Sequence, residues 1–169
     1  EYGFDGVDLD NEEYYITAAQ LSMFKKAILK LREALGDDKI ITLTPAAIMV
    51  YSDLSVAGSY NSMRVLFEDK EVLHAIDAIQ IMAYNDWVGV CGDGWATCAP
   101  GSAAYFQAVY QAYNDVVTNA GFDSSDKLIM GVLSSTTSGQ ASYYAPNSVL
   151  ESAFSCMAKG INCDPDYDK

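Results

Sequence analysis

The stretch Gly3-Phe4-Asp5-Gly6-Val7-Asp8-Leu9-Asp10-Asn11-Glu12 decides how this chain reads. It sets four acids as D-x-x-D-x-D-x-E inside an otherwise apolar, strand-like run. Strand side chains alternate between faces, so Asp8, Asp10 and Glu12 share one face, with about 6.6 Å between successive Cα atoms. Val7 and Leu9 take the opposite face and are predicted to enter apolar packing. Three carboxylates in a row repel one another and resist burial, so a strand carrying them for structure alone would be unstable. The chain has 23 acids in 169 residues, and chance supplies roughly 0.006 such matches.

A calcium loop would put Gly and further oxygen ligands after the acids, but Tyr14-Tyr15 follow. A solvated acidic edge would not interleave Val and Leu. General acid catalysis fits the row best. The acid must hold a proton at working pH, and neighbouring carboxylates help it do so.

Around this stretch, strands and helices alternate, the pattern of a parallel α/β protein. Strands are predicted over 3–10, 39–44, 78–84 and 127–133. Helices are predicted over 18–35, 62–75, 103–120 and 147–159. In the first helix Leu21, Phe24, Ile28, Leu31 and Leu35 fall at spacings of 3, 4, 3 and 4, and Gly36 is a C-cap. Phe106, Val109, Tyr113 and Val116 form the stripe of the third helix. Residues 46–60 read as loop, as does the Gly-rich stretch holding Trp87 and Trp95. No repeat or domain boundary is visible.

Half of the residues are apolar and 20% are charged, enough for one core. The net charge of −13 argues against nucleic-acid and anionic-membrane partners. No apolar run reaches the ~20 residues of a membrane span. Four cysteines lie in two pairs seven apart, Cys91 with Cys98 and Cys156 with Cys163. The single histidine, His74, lies near neither pair, so zinc is not expected and two local disulfides are. They imply an oxidising, secreted setting. His74 itself reads as structural. No phosphate loop, Ser-His-Asp set or metal-ligand spacing is present, and no cofactor is expected.

Phe4-Asp5-Gly6-Val7-Asp8-Leu9-Asp10-Asn11-Glu12 resembles the fourth-strand signature of the family 18 glycoside hydrolases, the chitinases and their relatives. Ile79-Gln80-Ile81-Met82-Ala83-Tyr84-Asn85 resembles the sixth-strand motif of that family, Q-x-M-x-Y-D/N. Ile41-Thr42-Leu43-Thr44-Pro45-Ala46 resembles the fifth strand, and Leu128-Ile129-Met130-Gly131-Val132-Leu133 the seventh. The resemblance implies a (β/α)8 TIM barrel, of which residues 1–169 supply strands four to seven as a C-terminal-side part of one catalytic domain. A whole barrel takes about 250 residues, so the remaining strands are expected from the same or another chain.

The resemblance also implies roles. Glu12 matches the proton donor, and Asp10 the acid that orients the substrate's acetamide. Asp8 matches the buried acid that holds Asp10. Asp5 faces the other side and reads as structural. Tyr84 contacts the acetamide carbonyl and Met82 lines the same sugar pocket. Gln80, Asn85 and Trp87 join them as substrate-binding residues, and Trp95 is a further stacking surface for sugar. The implied reaction is retaining hydrolysis of β-1,4 bonds in N-acetylglucosamine polymers, chitin first. The substrate's acetamide acts as nucleophile, outside the usual two-carboxylate scheme. Two alternatives are an endo-β-N-acetylglucosaminidase acting on N-glycans and a catalytically weak chitinase-like binding or structural protein. Asn11 stands where the family usually has a large apolar residue and is expected to face outward on the strand.

Overall fold

The computed structural model describes residues 3–13, 16–50, 62–86, 90–91, 96–161 and 163. Four parallel strands, β1 (Gly6–Leu9), β2 (Ile40–Leu43), β3 (Ala78–Met82) and β6 (Leu128–Gly131), form one sheet in the order β1-β2-β3-β6. Between β3 and β6 the short strands β4 (Val90–Cys91) and β5 (Ala96–Thr97) pair antiparallel. The helices are α1 (Ala18–Leu35), α2 (Ser62–Phe67), α3 (Lys70–Ala75), α4 (Ala103–Asn119) and α5 (Asn147–Lys159).

Strand-to-strand register fixes which side chains share a face. Asp8 lies opposite Thr42, Thr42 opposite Ala78, and Gln80 opposite Ile129. The alternate set, Ile41, Leu43, Ile79, Ile81 and Ala83, is buried under the helices, against Ile28 of α1, Leu73 of α3, Phe106, Val109 and Tyr113 of α4 and Ala153 of α5. The Asp8 set faces away from the helices, so one face of the sheet is covered and the other open. Ile40 and Ile129 on the open face are each about half exposed, at 52% and 51%. Among the described residues β1 and β6 are edge strands.

Local chemistry explains the ends of the elements. Thr17 and Gln20 close a reciprocal capping box at the start of α1, and Gly36 ends it at φ 71°. The α5 bounds fall where the periodicity places them, with Gly160 in the left-handed region. The helix predicted over 62–75 is two helices instead. Asp69 interrupts it, because its side chain accepts the Glu71 N–H and caps α3. Strand β1 is shorter than the predicted 3–10 run, and Val7 is 36% exposed rather than packed, because it lies on an edge. The loop reading of 46–60 also needs correction, since Ala47–Val50 is a buried turn of 3-10 helix. The stretch holding Trp87 and Trp95 carries the β4–β5 pair, with both Trp residues outside the described ones.

The end of the sheet where strands begin is stapled by charge. Arg32 donates to the Ala75 and Lys39 carbonyls at 2.9 and 2.7 Å and pairs with Asp77 at 2.5 Å. Asp77 also accepts the Ile41 N–H at 2.7 Å. Burial alone would raise the Asp77 carboxyl. The Ile41 N–H and the Arg32 guanidinium outweigh it and hold the carboxyl below its ordinary value.

Gly6 lets β1 approach β2. A Cβ there would fall inside van der Waals contact of the Ile40 carbonyl oxygen. Gly6→Ala is therefore expected to part the two strands and to cost about 1–3 kcal/mol, read from the denaturation midpoint. An unchanged midpoint would contradict this register.

Candidate functional site

Parallel strands present their C-terminal ends together, and the acidic motif leaves the sheet at that end. Asp8 is in β1, and its carboxylate is the centre of a polar cluster on the open face. It accepts from the Thr42 hydroxyl, from the Thr44 hydroxyl at 2.7 and 2.8 Å, and from Gln80 Nε2 at 3.1 Å. Gln80 Nε2 also donates to Thr42 Oγ1 at 3.0 Å. Gln80 thus has the polar partners that a half-buried amide needs.

Three points differ from the sequence reading. Asp8 is exposed rather than buried, because the face it occupies is open. The strand ends at Leu9, so Asp10 and Glu12 follow it in the connection to α1, both exposed, instead of continuing one strand row. Asn11 does not face outward from a strand. It accepts the Glu13 N–H at 3.2 Å and shapes the turn that carries Glu12. Among the described residues no hydrogen bond joins Asp8 to Asp10 or Glu12. The structure therefore gathers Asp8 and Gln80 and leaves Asp10 and Glu12 on the adjoining loop.

Met82 and Tyr84 follow Gln80 at the same parity, both half-buried. Tyr84 lies over the bare backbone of β6. A Cβ on Gly131 would come within 3.4 Å of Tyr84 Cε1 and 3.0 Å of the Ile81 carbonyl. Asn85 is exposed and has φ 58°, a left-handed conformation that Asn tolerates better than most residues. Its Oδ1 accepts the Gln140 N–H at 2.7 Å. Trp87 and the Cys91 side chain lie outside the described residues.

Asp86 is a residue that sequence reasoning passed over. It is 2% exposed. Its Oδ2 accepts the Ile48 N–H at 3.1 Å, its carbonyl accepts the Tyr143 hydroxyl at 2.7 Å, and among the described residues its Oδ1 has no partner. Burial pushes its carboxyl up to about 7, against the lowering effect of the Ile48 N–H. Thr42 and Thr44 were also missed as polar contacts. Their signal was present in Ile41-Thr42-Leu43-Thr44, where two hydroxyls alternate with core residues.

Elsewhere, Cys156 and Cys163 form a disulfide, and Cys98 is disulfide-bonded too. His74 stands edge-on to Phe122, with ring centroids 4.7 Å apart, in keeping with its structural reading. Among the described residues no helix is long and apolar enough to cross a membrane.

No protein-family model matches the chain, and no curated protein matches it. Solved structures do. The chain aligns over 98% of its length with the Streptomyces coelicolor protein assigned as chitinase A, at 25% identity and a TM-score of 0.72. It aligns over 98% with a family GH18 chitinase from Chromobacterium violaceum, at 18% identity and a TM-score of 0.72. It aligns over 99% with the C-terminal domain of Legionella pneumophila ChiA, at 17% identity and a TM-score of 0.69. The structural neighbours of this chain are thus family 18 chitinases or their domains. The chain spans about half the length of these structures, 53%, 49% and 55% respectively.

Proposed function

We propose, from the fold shared with family 18 chitinases and from the Asp8 cluster, that residues 1–169 carry the acidic half of a chitinase-type active site. They would be strands four to seven of a (β/α)8 barrel, the C-terminal-side part of one catalytic domain. The remaining strands would lie across the open face, supplied by the same chain or another. The reaction is retaining hydrolysis of β-1,4 bonds in chitin or a related N-acetylglucosamine glycan, with no cofactor. The disulfide between Cys156 and Cys163 suits work outside the cell.

The observation that carries this reading is the location of the acids. Asp8 is held by two threonine hydroxyls and an amide, at the strand end from which Asp10 and Glu12 project. In the proposed mechanism Glu12 donates its proton to the glycosidic oxygen as the bond to the leaving sugar breaks. The substrate's acetamide oxygen attacks the anomeric carbon from the opposite side, and Asp10 stabilises the positive charge that develops. Water then opens the ring intermediate, returning a proton to Glu12. Asp8 fixes the end of β1 and, through it, the start of the loop that bears Asp10. Tyr84 and Met82 line the sugar pocket, Gln80 and Trp87 extend it, and Asn85 stands beside them.

The test uses the polypeptide that contains these residues. Release of the fluorophore from a fluorogenic chitooligosaccharide supports an enzyme. Retention on chitin beads without release would favour the chitinase-like binding reading instead. Turnover of a free N-glycan but not of chitooligosaccharide would favour the endo-β-N-acetylglucosaminidase.

A further inference from the structure

The two residues after Tyr84 act on loops rather than on the open face. Asn85 Oδ1 accepts the Gln140 N–H at 2.7 Å, and the Asp86 carbonyl accepts the Tyr143 hydroxyl at 2.7 Å. Both partners belong to the connection after β6, so the end of β3 fastens that connection at two points. Gly139 fits this fastening. A Cβ there would stand 2.5 Å from Asn85 Oδ1 and 2.8 Å from Leu133 Cδ2. The backbone at 139 therefore reaches Asn85 only because it carries no side chain.

What the fastening holds is Ser134-Ser135-Thr136-Thr137-Ser138-Gly139-Gln140, a strip of hydroxyls and an amide. All of it is exposed except half-buried Ser135. It is tightened from within, since Ser138 donates to the Ser135 carbonyl at 2.8 Å and Ser135 and Thr137 hydroxyls lie 3.0 Å apart. The strip follows β6, so it stands at the same end of the sheet as Asp8, Asp10 and Glu12. Three strand spacings separate β6 from β1, about 14 Å along the sheet. A ligand reaching from the acids to the strip is longer than one sugar ring.

We infer that Asn85 is a positioning residue: through the Gln140 N–H it holds the 134–140 strip as the polar wall of an oligosaccharide cleft. This rests on the proposed glycosidase reading and adds the residue that sets how firmly a long glycan is gripped. Hydroxyl and amide groups on that wall suit the hydroxyls and acetamides of successive sugars. Asn85 needs its acceptor oxygen for this role and has no need of its NH2 group.

That distinction sets the test. Asn85→Gly keeps the left-handed backbone and removes the acceptor. Asn85→Asp keeps the acceptor and removes the NH2 donor. Gly139→Ala leaves Asn85 in place and pushes the strip off it. Each is made in the Glu12→Gln background so that the sugar is not consumed. Amide exchange at 136–140 and calorimetric affinity for chitohexaose are then measured. Asn85→Gly and Gly139→Ala are expected to speed exchange at Gln140 and to weaken chitohexaose binding, each about fivefold, the worth of one hydrogen bond. Asn85→Asp is expected to retain both.

Unchanged exchange in Asn85→Gly would overturn the fastening. Faster exchange with unchanged affinity would overturn the wall. Weakened affinity in Asn85→Asp with exchange retained would mean that Asn85 touches the sugar itself, which also overturns the inference. Absence of chitohexaose binding in the background protein would sink the proposed function and the wall with it, and the exchange result would still decide the fastening.

Discussion

Glu12→Gln is expected to lower chitooligosaccharide turnover by about 10²–10⁴-fold while leaving affinity for the sugar within about twofold. The carboxamide has nearly the shape of the acid but no acidic proton to give to the leaving oxygen. Glu12 is exposed beyond the end of β1, so the exchange removes no packing and the denaturation midpoint is expected to stay within about 0.5 kcal/mol of the parent. Glu13, the neighbouring exposed acid, provides the control. Glu13→Gln changes charge by the same amount and is expected to leave turnover unaltered. Equal turnover in the two variants would remove Glu12 as the acid.

The second large effect concerns stability and pH. Asp86 carries a carboxyl raised to about 7 by burial, whereas in the unfolded chain an Asp titrates near its ordinary value of about 3.9. Below about pH 4 both states hold the proton and Asp86 contributes no pH dependence. As pH rises from about 4 to 7, the unfolded state loses the proton first and stability falls. Above about 7 the folded state carries a buried carboxylate, with a cost on the order of 4 kcal/mol. Asp86→Asn removes this slope and keeps an oxygen for the Ile48 N–H, which Oδ2 accepts in the parent. Its NH2 enters a buried position where Oδ1 had no partner among the described residues, costing about 1–3 kcal/mol at every pH. The two stability curves are therefore expected to cross. The variant should be weaker than the parent at pH 4.5 and at least as stable at pH 8.5, as measured by denaturant titration. Parallel curves would contradict a raised Asp86.

Asp86 also marks where sequence reasoning stops. Nothing in Tyr84-Asn85-Asp86-Trp87 distinguishes a buried acid from a solvated one. Its burial comes from the 3-10 turn at Ala47–Val50 and from Tyr143 after β6, elements 36 or more residues away in sequence. The covered face of the sheet was readable, because Ile41, Leu43, Ile79 and Ile81 alternate with polar residues and their period survives in the fold. The α1 and α5 ends were readable because glycine and capping chemistry are local.

The break between α2 and α3 was not read, although Asp69 is a good N-cap. The apolar period runs on through it, and only the Asp69 bond to the Glu71 N–H decides the matter. The acidic motif was legible as chemistry and less so as geometry. Alternation predicted one row for Asp8, Asp10 and Glu12, but among the described residues β1 has a single strand partner, and it ends at Leu9. Asp8 was expected to be buried because the resemblance implied a closed barrel, and the open face of four strands leaves it exposed. Its hydrogen bonds to Thr42, Thr44 and Gln80 still follow the parity that the sequence displays.

The most direct test of the central claim is the anomer first formed from chitohexaose, followed by proton NMR with the polypeptide that contains these residues, alongside the same reaction on the fully deacetylated oligomer. Catalysis through the substrate's acetamide predicts the β anomer at the new reducing end and no cleavage once the acetyl groups are gone. An initial α anomer, or equal cleavage of the deacetylated sugar, would contradict it.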